Sequence, residues 1–195
     1  MGLRVRAGDI ASVKIGYFFR ERLETVTSGT VAVIQMKDLV ADVVDPSGLV
    51  RIDMERPREH HLVRVGDLVF RSRGVTNTCA ILLDDPGSAV VSAPLFRIRV
   101  ADRRVLPQYL NWYINQPPAQ AFLASHAKGT AQKMISKDAL EDLEVFVPSL
   151  ERQRAIVEVA ALAEQEQNLM KKLAEKRRQF LSAKLIEMAQ GDGSR

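Results

Sequence analysis

The chain of 195 residues is 46% hydrophobic and 27% charged, a composition typical of a globular protein, and this excludes a chain that is disordered throughout. Basic residues exceed acidic residues only slightly, 28 against 24, so any surface that binds nucleic acid has to be local. The apolar runs are far shorter than the roughly 18 residues of a membrane span, and the first residues lack the apolar stretch of a secretory signal. A single cysteine excludes an internal disulfide and a cysteine-based zinc site. We therefore expect a cytoplasmic protein without a membrane partner.

Short apolar and β-branched runs between turn residues predict a β-rich first half. The run 30–34 is β-branched, and 45–48 has the proline and glycine of a turn. Residues 62–70 predict two short strand-like pieces around a Gly-Asp turn. Further strand-like runs cover residues 79–83, 89–92 and 95–100. In the last of these, apolar residues alternate with Arg97 and Arg99, which predicts one buried face and an opposite face that carries the two arginines.

Helical spacing begins after residue 105. Aromatic and apolar residues at 106–116 predict a helix, and a second helix over 119–127 follows a double proline. Ser136 has the chemistry of an N-cap for a short helix at 137–143. The run 144–147 is typical of one more strand.

The segment 149–190 contains no glycine and no proline, which predicts one long helix. Ser149 is a suitable N-cap, and Gly191 is a suitable stop. At about 1.5 Å per residue this helix would extend roughly 60 Å, which is longer than a domain of about 150 residues is wide. The alternative is a helical hairpin with a break at 165–168.

Four apolar residues in this segment follow the spacing of a coiled coil, in steps of seven, four and seven. They are Leu162, Leu169, Leu173 and Phe180. We expect them to pack against a second copy or a partner. The predicted organisation is therefore a domain at 1–148, a dimerisation and docking helix at 149–190 and a flexible tail at 191–195.

The sequence lacks the motifs of the common enzyme classes. It has no glycine-rich phosphate loop and no nucleophile elbow. The acidic pair Asp84-Asp85 lies in a turn, away from any cluster that could hold a catalytic metal. We expect a non-catalytic chain with no metal site and no cofactor of its own. A small nuclease with an unrecognised site is an alternative.

Two loops and the end of one strand combine cations, which suit phosphates, with amide and hydroxyl groups, which suit base edges. The candidate DNA-binding residues are Gln35, Lys37, Arg71, Ser72, Arg73, Thr76, Asn77, Lys128, Thr130, Gln132 and Lys133. Each loop taken alone also fits an ordinary solvated surface loop.

The order of four segments resembles the specificity (S) subunit of type I restriction–modification systems. The segment 61–74 is similar to the family's Gly-Asp segment that ends in Arg-x-Gly, and 106–110 is similar to its Pro-x-Tyr-Leu helix start. The loop 129–135 is similar to its Gly-(Ser/Thr) loop. The run 140–156 resembles its Pro-x-x-x-x-Gln-x-x-Ile transition into a long helix and is the most specific of the four.

This resemblance implies a target-recognition domain that reads double-stranded DNA. The long helix would separate recognition domains and dock adenine methyltransferase subunits, with S-adenosylmethionine, ATP and Mg on partner subunits and a restriction (translocase) subunit as a further partner. A full S subunit has two such units in tandem, and this chain has one. It therefore resembles a half-size S subunit, which would form a homodimer and read a spaced palindrome.

The predicted fold class is α+β, with a mixed, β-rich target-recognition domain followed by a long C-terminal coiled-coil-type helix. The two-fold axis of a dimer favours antiparallel helices. The competing hypothesis is an interaction or scaffold module whose coiled coil is its whole function, without DNA specificity.

Overall fold

In the computed structural model the chain divides into two units, Met1–Arg154 and Ala155–Arg195. The structure describes residues 2–20, 29–54, 57–74, 77–129 and 133–191. Three of the predicted DNA-binding residues, Thr76, Thr130 and Gln132, lie outside the described residues, as does the predicted tail beyond Gly191.

The first unit is built mainly from short strands. Its strands are β1 (Leu3–Arg6), β2 (Ala11–Ile15), β3 (Val31–Ile34), β4 (Leu39–Val40), β5 (Val43–Val44), β6 (Val50–Ile52), β7 (Leu68–Arg71), β8 (Cys79–Ile81), β9 (Ala89–Val91), β10 (Leu95–Val100) and β11 (Glu144–Val147). Its helices are α1 (Ala7–Ile10), α2 (Pro107–Ile114), α3 (Pro117–Ser125) and α4 (Lys137–Glu141). Helix α5 (Leu150–Gln190) begins in this unit and continues through the second. Short 3-10 turns cover Met36–Asp38 and Glu59–His61.

In the described part of the chain the strands form three sheets. The largest has six strands in the order β2-β10-β7-β8-β5-β4, and the smaller sheets have the orders β6-β3-β9 and β1-β11. Strand β7 lies in the middle of the large sheet, antiparallel to β10 and to β8. Leu68, Val69 and Phe70 are fully buried, so both faces of β7 are covered and its carboxyl end is held firmly in place.

Helix α2 is attached to this sheet by a side chain at its C-terminal end. The Asn115 amide donates to the Cys79 carbonyl (2.7 Å), and its oxygen accepts a hydrogen bond from the Cys79 backbone N–H (2.9 Å). Both backbone groups of β8 at this point are thereby satisfied. Leu110 and Ile114 on the same helix are fully buried.

A buried carboxylate joins β7 to β10. Asp67 is 2% exposed, and its two oxygens accept hydrogen bonds from Arg99 Nε (2.7 Å) and Nη2 (2.6 Å). Arg97 Nη1 lies 4.0 Å from the same carboxylate. Both guanidinium groups also donate to the Leu62 carbonyl (3.1 and 3.0 Å). The Gly-Asp pair of the sequence therefore places an anion at the start of β7 that fixes the turn before it, through the Arg64 backbone N–H (2.9 Å).

This arrangement corrects two predictions. Arg97 does not lie on an open face, because it is only 5% exposed and burial lowers its pKa. The pKa of Arg99 is raised by its hydrogen bonds to Asp67. Of the two strand-like pieces predicted within 62–70, the second is β7, whereas the first is not a strand in the described structure, where Leu62 forms only an isolated bridge with Val90. Its backbone carbonyl serves the two arginines instead.

Another polar side chain is fully buried where α5 begins. Gln153 Oε1 accepts a hydrogen bond from the Leu106 backbone N–H (2.9 Å), and Nε2 donates to the carbonyls of Arg104 (2.7 Å) and Pro148 (2.8 Å). One amide thus satisfies three backbone groups from two separate segments. The glutamine in the transition motif therefore fastens the first turn of α5 to the segment that precedes α2.

The long helix is continuous from Leu150 to Gln190, so the alternative of a hairpin broken at 165–168 is wrong. Every residue from 161 to 190 is exposed, including all four predicted seam positions. None of the helices in the described ranges is long and apolar enough to span a membrane.

We predict that Asp67→Asn lowers the free energy of unfolding by about 3 kcal/mol, because it leaves the buried Arg97 and the half-buried Arg99 without a counter-charge. Urea denaturation followed by circular dichroism measures this change. The matched control is Asp84→Asn in an exposed turn, which should alter stability by less than about 0.5 kcal/mol. Equal effects of the two substitutions would contradict the structural role of Asp67.

Candidate nucleic-acid interface

Three loops meet at the carboxyl end of β7, and they contain the residues that the sequence predicts for DNA binding. The first is the turn after β3, at 35–38. The second connects β7 to β8, at 72–78, and the third lies between α3 and α4, at 126–136. Arg71, the last residue of β7, joins the first loop, because its Nη2 donates to the Met36 carbonyl at 2.8 Å.

Ser72 links the other loops to the sheet. Its hydroxyl donates to the Pro94 carbonyl in the connection from β9 to β10. Its own carbonyl accepts a hydrogen bond from the Ile135 backbone N–H at 2.8 Å. Arg73 continues this pairing through an isolated bridge with Met134. The 72–78 loop and the 126–136 loop therefore lie side by side.

Two described residues of the third loop, Lys128 and Met134, pair through their backbones. The backbone N–H of Lys128 donates to the Met134 carbonyl (3.0 Å), and the Met134 N–H donates back to the Lys128 carbonyl (2.9 Å). Gly129 has a positive φ of 112°, a backbone conformation that favours glycine. The backbone pairing of Lys128 with Met134 thus brings Lys128 near Lys133, the residue that precedes Met134.

The cations of these loops define a surface that we call the recognition surface. It consists of Lys37, Arg71, Arg73, Lys128 and Lys133. All of them except the half-buried Arg71 are exposed. None of the five forms an ion pair with a carboxylate of the described residues. Exposed cations of this kind suit an anionic ligand such as a phosphate backbone. These loops therefore bring a local group of five cations together.

Two predicted residues shape the loops instead of extending from them. Ser72 is fully buried, and its hydroxyl is engaged with Pro94. Asn77 is half-buried, and its amide donates to the Arg71 carbonyl at 3.0 Å, which closes the 72–78 loop on itself. The carbonyl of Asn77 accepts a further hydrogen bond from Gln120 Nε2 at 3.0 Å. Both residues position Arg71 and Arg73.

Gln35 is half-buried at the start of the first loop. Its backbone N–H donates to Asp38 Oδ2 at 2.8 Å, which closes the 3-10 turn. Burial raises the pKa of Asp38, which is only 6% exposed and turned inward. Lys37, between them, stays exposed.

Sequence reasoning missed three apolar residues beside these cations. Phe18 is 73% exposed, Met36 is 41% exposed and Met134 is 38% exposed. The only signal was the aromatic run of Tyr17, Phe18 and Phe19, which resembles core material in a sequence. An exposed aromatic residue becomes informative only when its surroundings are known.

Sequence reasoning also missed a second apolar stripe on α5. Met170, Leu181, Leu185 and Met188 are all exposed, each by more than half. At roughly 100° per residue they lie about a quarter turn around the helix from the predicted seam. The helix therefore offers two apolar faces.

The described residues contain no cluster of three or more histidine, cysteine, aspartate or glutamate side chains that could hold a metal ion. Cys79 is fully buried in β8, and burial raises the pKa of its thiol, so the thiol stays protonated and unreactive. The side chains that converge are cations and hydrogen-bonding groups, which suit binding of an anionic surface.

No family model matches the sequence, and no curated protein matches it. Solved structures, by contrast, match its fold. A chain in a structure of the type I R-M system, whose subject is complex assembly and conformational transition, matches with a TM-score of 0.72 and 17% identity over 93% of this chain and 43% of that chain. The HsdS subunit from Thermoanaerobacter tengcongensis matches with a TM-score of 0.63 and 17% identity over 88% of this chain and 39% of that subunit.

A third structure, the type I restriction-modification system S subunit from M. genitalium, matches with a TM-score of 0.58 and 14% identity over 92% of this chain and 43% of that subunit. The chain thus has the fold found in type I specificity subunits and spans less than half the length of these relatives. The predicted α+β class and the resemblance to specificity subunits are confirmed at the level of the fold.

We predict that Ser72→Ala lowers the free energy of unfolding by about 1 kcal/mol, because the Pro94 carbonyl loses its donor. The loosened contact should also speed hydrogen exchange at the Ile135 N–H, which donates to the Ser72 carbonyl. Urea titration and amide exchange measure the two effects. Ser88→Ala, at an exposed position, is the control and should change neither. Unchanged exchange at Ile135 in Ser72→Ala would contradict the linking role of Ser72.

Proposed function

We propose that this chain is the DNA sequence-recognition subunit of a type I restriction–modification complex and acts as a homodimer of half-size subunits. The observation that carries the proposal is the convergence of three cation-bearing loops on one recognition surface, in a domain with the fold of a specificity subunit. The subunit is non-catalytic, and the catalytic steps belong to its partner subunits.

Within the proposed interface, exposed cations grip phosphates or read guanine. Arg73 and Lys133 are exposed on adjacent loops and suit these contacts. Gln35 suits adenine, because an amide can both donate to and accept from an adenine edge. Thr130 and Gln132 belong to the same reading loop by their positions in the sequence.

One recognition domain per chain supports a homodimer. The described chain carries one sheet-rich unit and one long helix. Two copies would supply two recognition domains, and their two-fold symmetry makes the target a spaced palindrome. Antiparallel pairing of α5 places the domains at opposite ends of the helix pair.

The two apolar faces of α5 suit two different contacts. We assign the seam that contains Leu169 and Leu173 to the second copy. The stripe that contains Leu181 and Leu185 is assigned to an adenine methyltransferase subunit. S-adenosylmethionine, ATP and Mg belong to the partner subunits, which include a restriction subunit where one is present. Because the proposed target is the cell's DNA, we expect the complex to act in the cytoplasm.

We predict that Arg73→Ala weakens binding to the selected DNA site. Loss of a guanine contact would reduce discrimination at one base pair by about 1–3 kcal/mol, whereas loss of a phosphate contact would weaken all sequences and shallow the salt slope by about one. Fluorescence anisotropy with a site selected from a random duplex library, at several salt concentrations, distinguishes the two.

The control for this measurement is Arg103→Ala, which removes an exposed arginine outside the three loops and should leave affinity and slope unchanged. If Arg73→Ala leaves site preference, affinity and salt slope as they are, the 72–78 loop is not part of the interface. A chain that dimerises but selects no sequence would instead support a scaffold module.

We predict that the double substitution Leu169→Glu and Leu173→Glu converts the dimer to a monomer, because it places charges in the apolar seam. Sedimentation velocity measures the change. Lys171→Glu, on the opposite side of the helix, is the control and should sediment as a dimer. A monomeric unaltered chain, or an unaffected double variant, would contradict the assignment of this seam.

A further inference from the structure

An apolar pocket adjoins the recognition surface. Phe18, Met36 and Pro94 line it, and its volume is about 280 Å³. Of its polar lining residues, Ser92 already donates its hydroxyl to the Ile34 carbonyl at 3.0 Å. Gln35 is the other. The Phe18 side chain at this pocket is 73% exposed. Because contact between apolar surface and water is unfavourable, the pocket favours an apolar ligand group.

The same hydrogen bonds that assemble the recognition surface tie this pocket to it. The Met36 carbonyl accepts from Arg71, and the Pro94 carbonyl accepts from Ser72. The exposed Lys37 follows Met36 directly in the chain. Cations beside the pocket match a polyanion and disfavour an apolar protein surface, so the occupant that fits this environment is DNA.

In the major groove each A·T pair presents one apolar group, the 5-methyl group of thymine, beside the adenine edge that an amide recognises. The pocket combines the same two features, an apolar wall and the Gln35 side chain. We propose that Phe18, Met36 and Pro94 receive the 5-methyl group of a thymine in the target site. These residues are then specificity-determining, an inference that rests on the proposed DNA-reading function.

The test removes only the methyl group from the DNA. The full chain first selects a site from a random duplex library, and each thymidine of that site is then replaced singly by deoxyuridine. We expect one thymidine per half-site whose replacement weakens binding about fourfold, which corresponds to about 0.8 kcal/mol for burial of one such carbon. In Phe18→Ala the same replacement should have a clearly smaller effect.

Phe18→Ala should fold normally because the side chain is mostly exposed, and Met36→Ala serves as a second pocket variant. Phe146→Ala is the matched control. It removes a 43% exposed phenylalanine from β11, outside the pocket, and should retain the full effect of the methyl group.

The outcomes separate this inference from the function on which it rests. If the chain selects a site but every deoxyuridine replacement is neutral, or if Phe18→Ala retains the full loss, the pocket does not read a methyl group although DNA recognition stands. If the chain selects no sequence at all, both the proposed function and this inference are overturned.

Discussion

The recognition surface depends on the hydrogen bonds at the carboxyl end of β7. Ser72 has no exposed surface, yet its hydroxyl reaches the β9–β10 connection and its carbonyl reaches the 126–136 loop. Arg71 holds the first loop, at 35–38, through the Met36 carbonyl. Loops distant in sequence become neighbours because a strand buried on both faces provides one firm end to which each is bonded. Rigid support of this kind is what a set of reading side chains needs, since base discrimination depends on precise placement.

Buried polar groups perform the corresponding task elsewhere in the first unit. Asp67 satisfies two arginines and a turn, and Gln153 satisfies three backbone groups. Such groups are costly to bury without partners, so they specify one arrangement of the segments that they join. Both belong to segments in which the sequence resembles a specificity subunit. Their structure gives that resemblance a physical meaning, because these motif residues hold the scaffold together.

The long helix follows a different principle. Its side chains from residue 161 onward are exposed, and large apolar residues among them form two stripes. A single helix in water gains little from such residues, because helices of this kind obtain most of their stability from packing. The proposed dimer and the proposed methyltransferase partner would each cover one stripe. Within this proposal a single copy is not sufficient, because it has one recognition domain and the proposed DNA site needs two.

By itself, the sequence determined the elements with strong local signals. The absence of glycine and proline predicted α5, and cap residues closely predicted the start of α4 after Ser136 and the end of α5 before Gly191. The strand alternation that led to Arg97 on an open face was misleading, because its counter-ion Asp67 lies about thirty positions earlier and only the tertiary structure brings them together. Likewise, residue types indicated which loops are candidates for DNA binding, whereas only the fold decided that Ser72 and Asn77 support them and that Phe18 remains outside the core. Local propensity depends on neighbouring residues, whereas burial depends on contacts between residues that are distant in the sequence. Burial in turn decides whether a side chain supports a loop or extends from it.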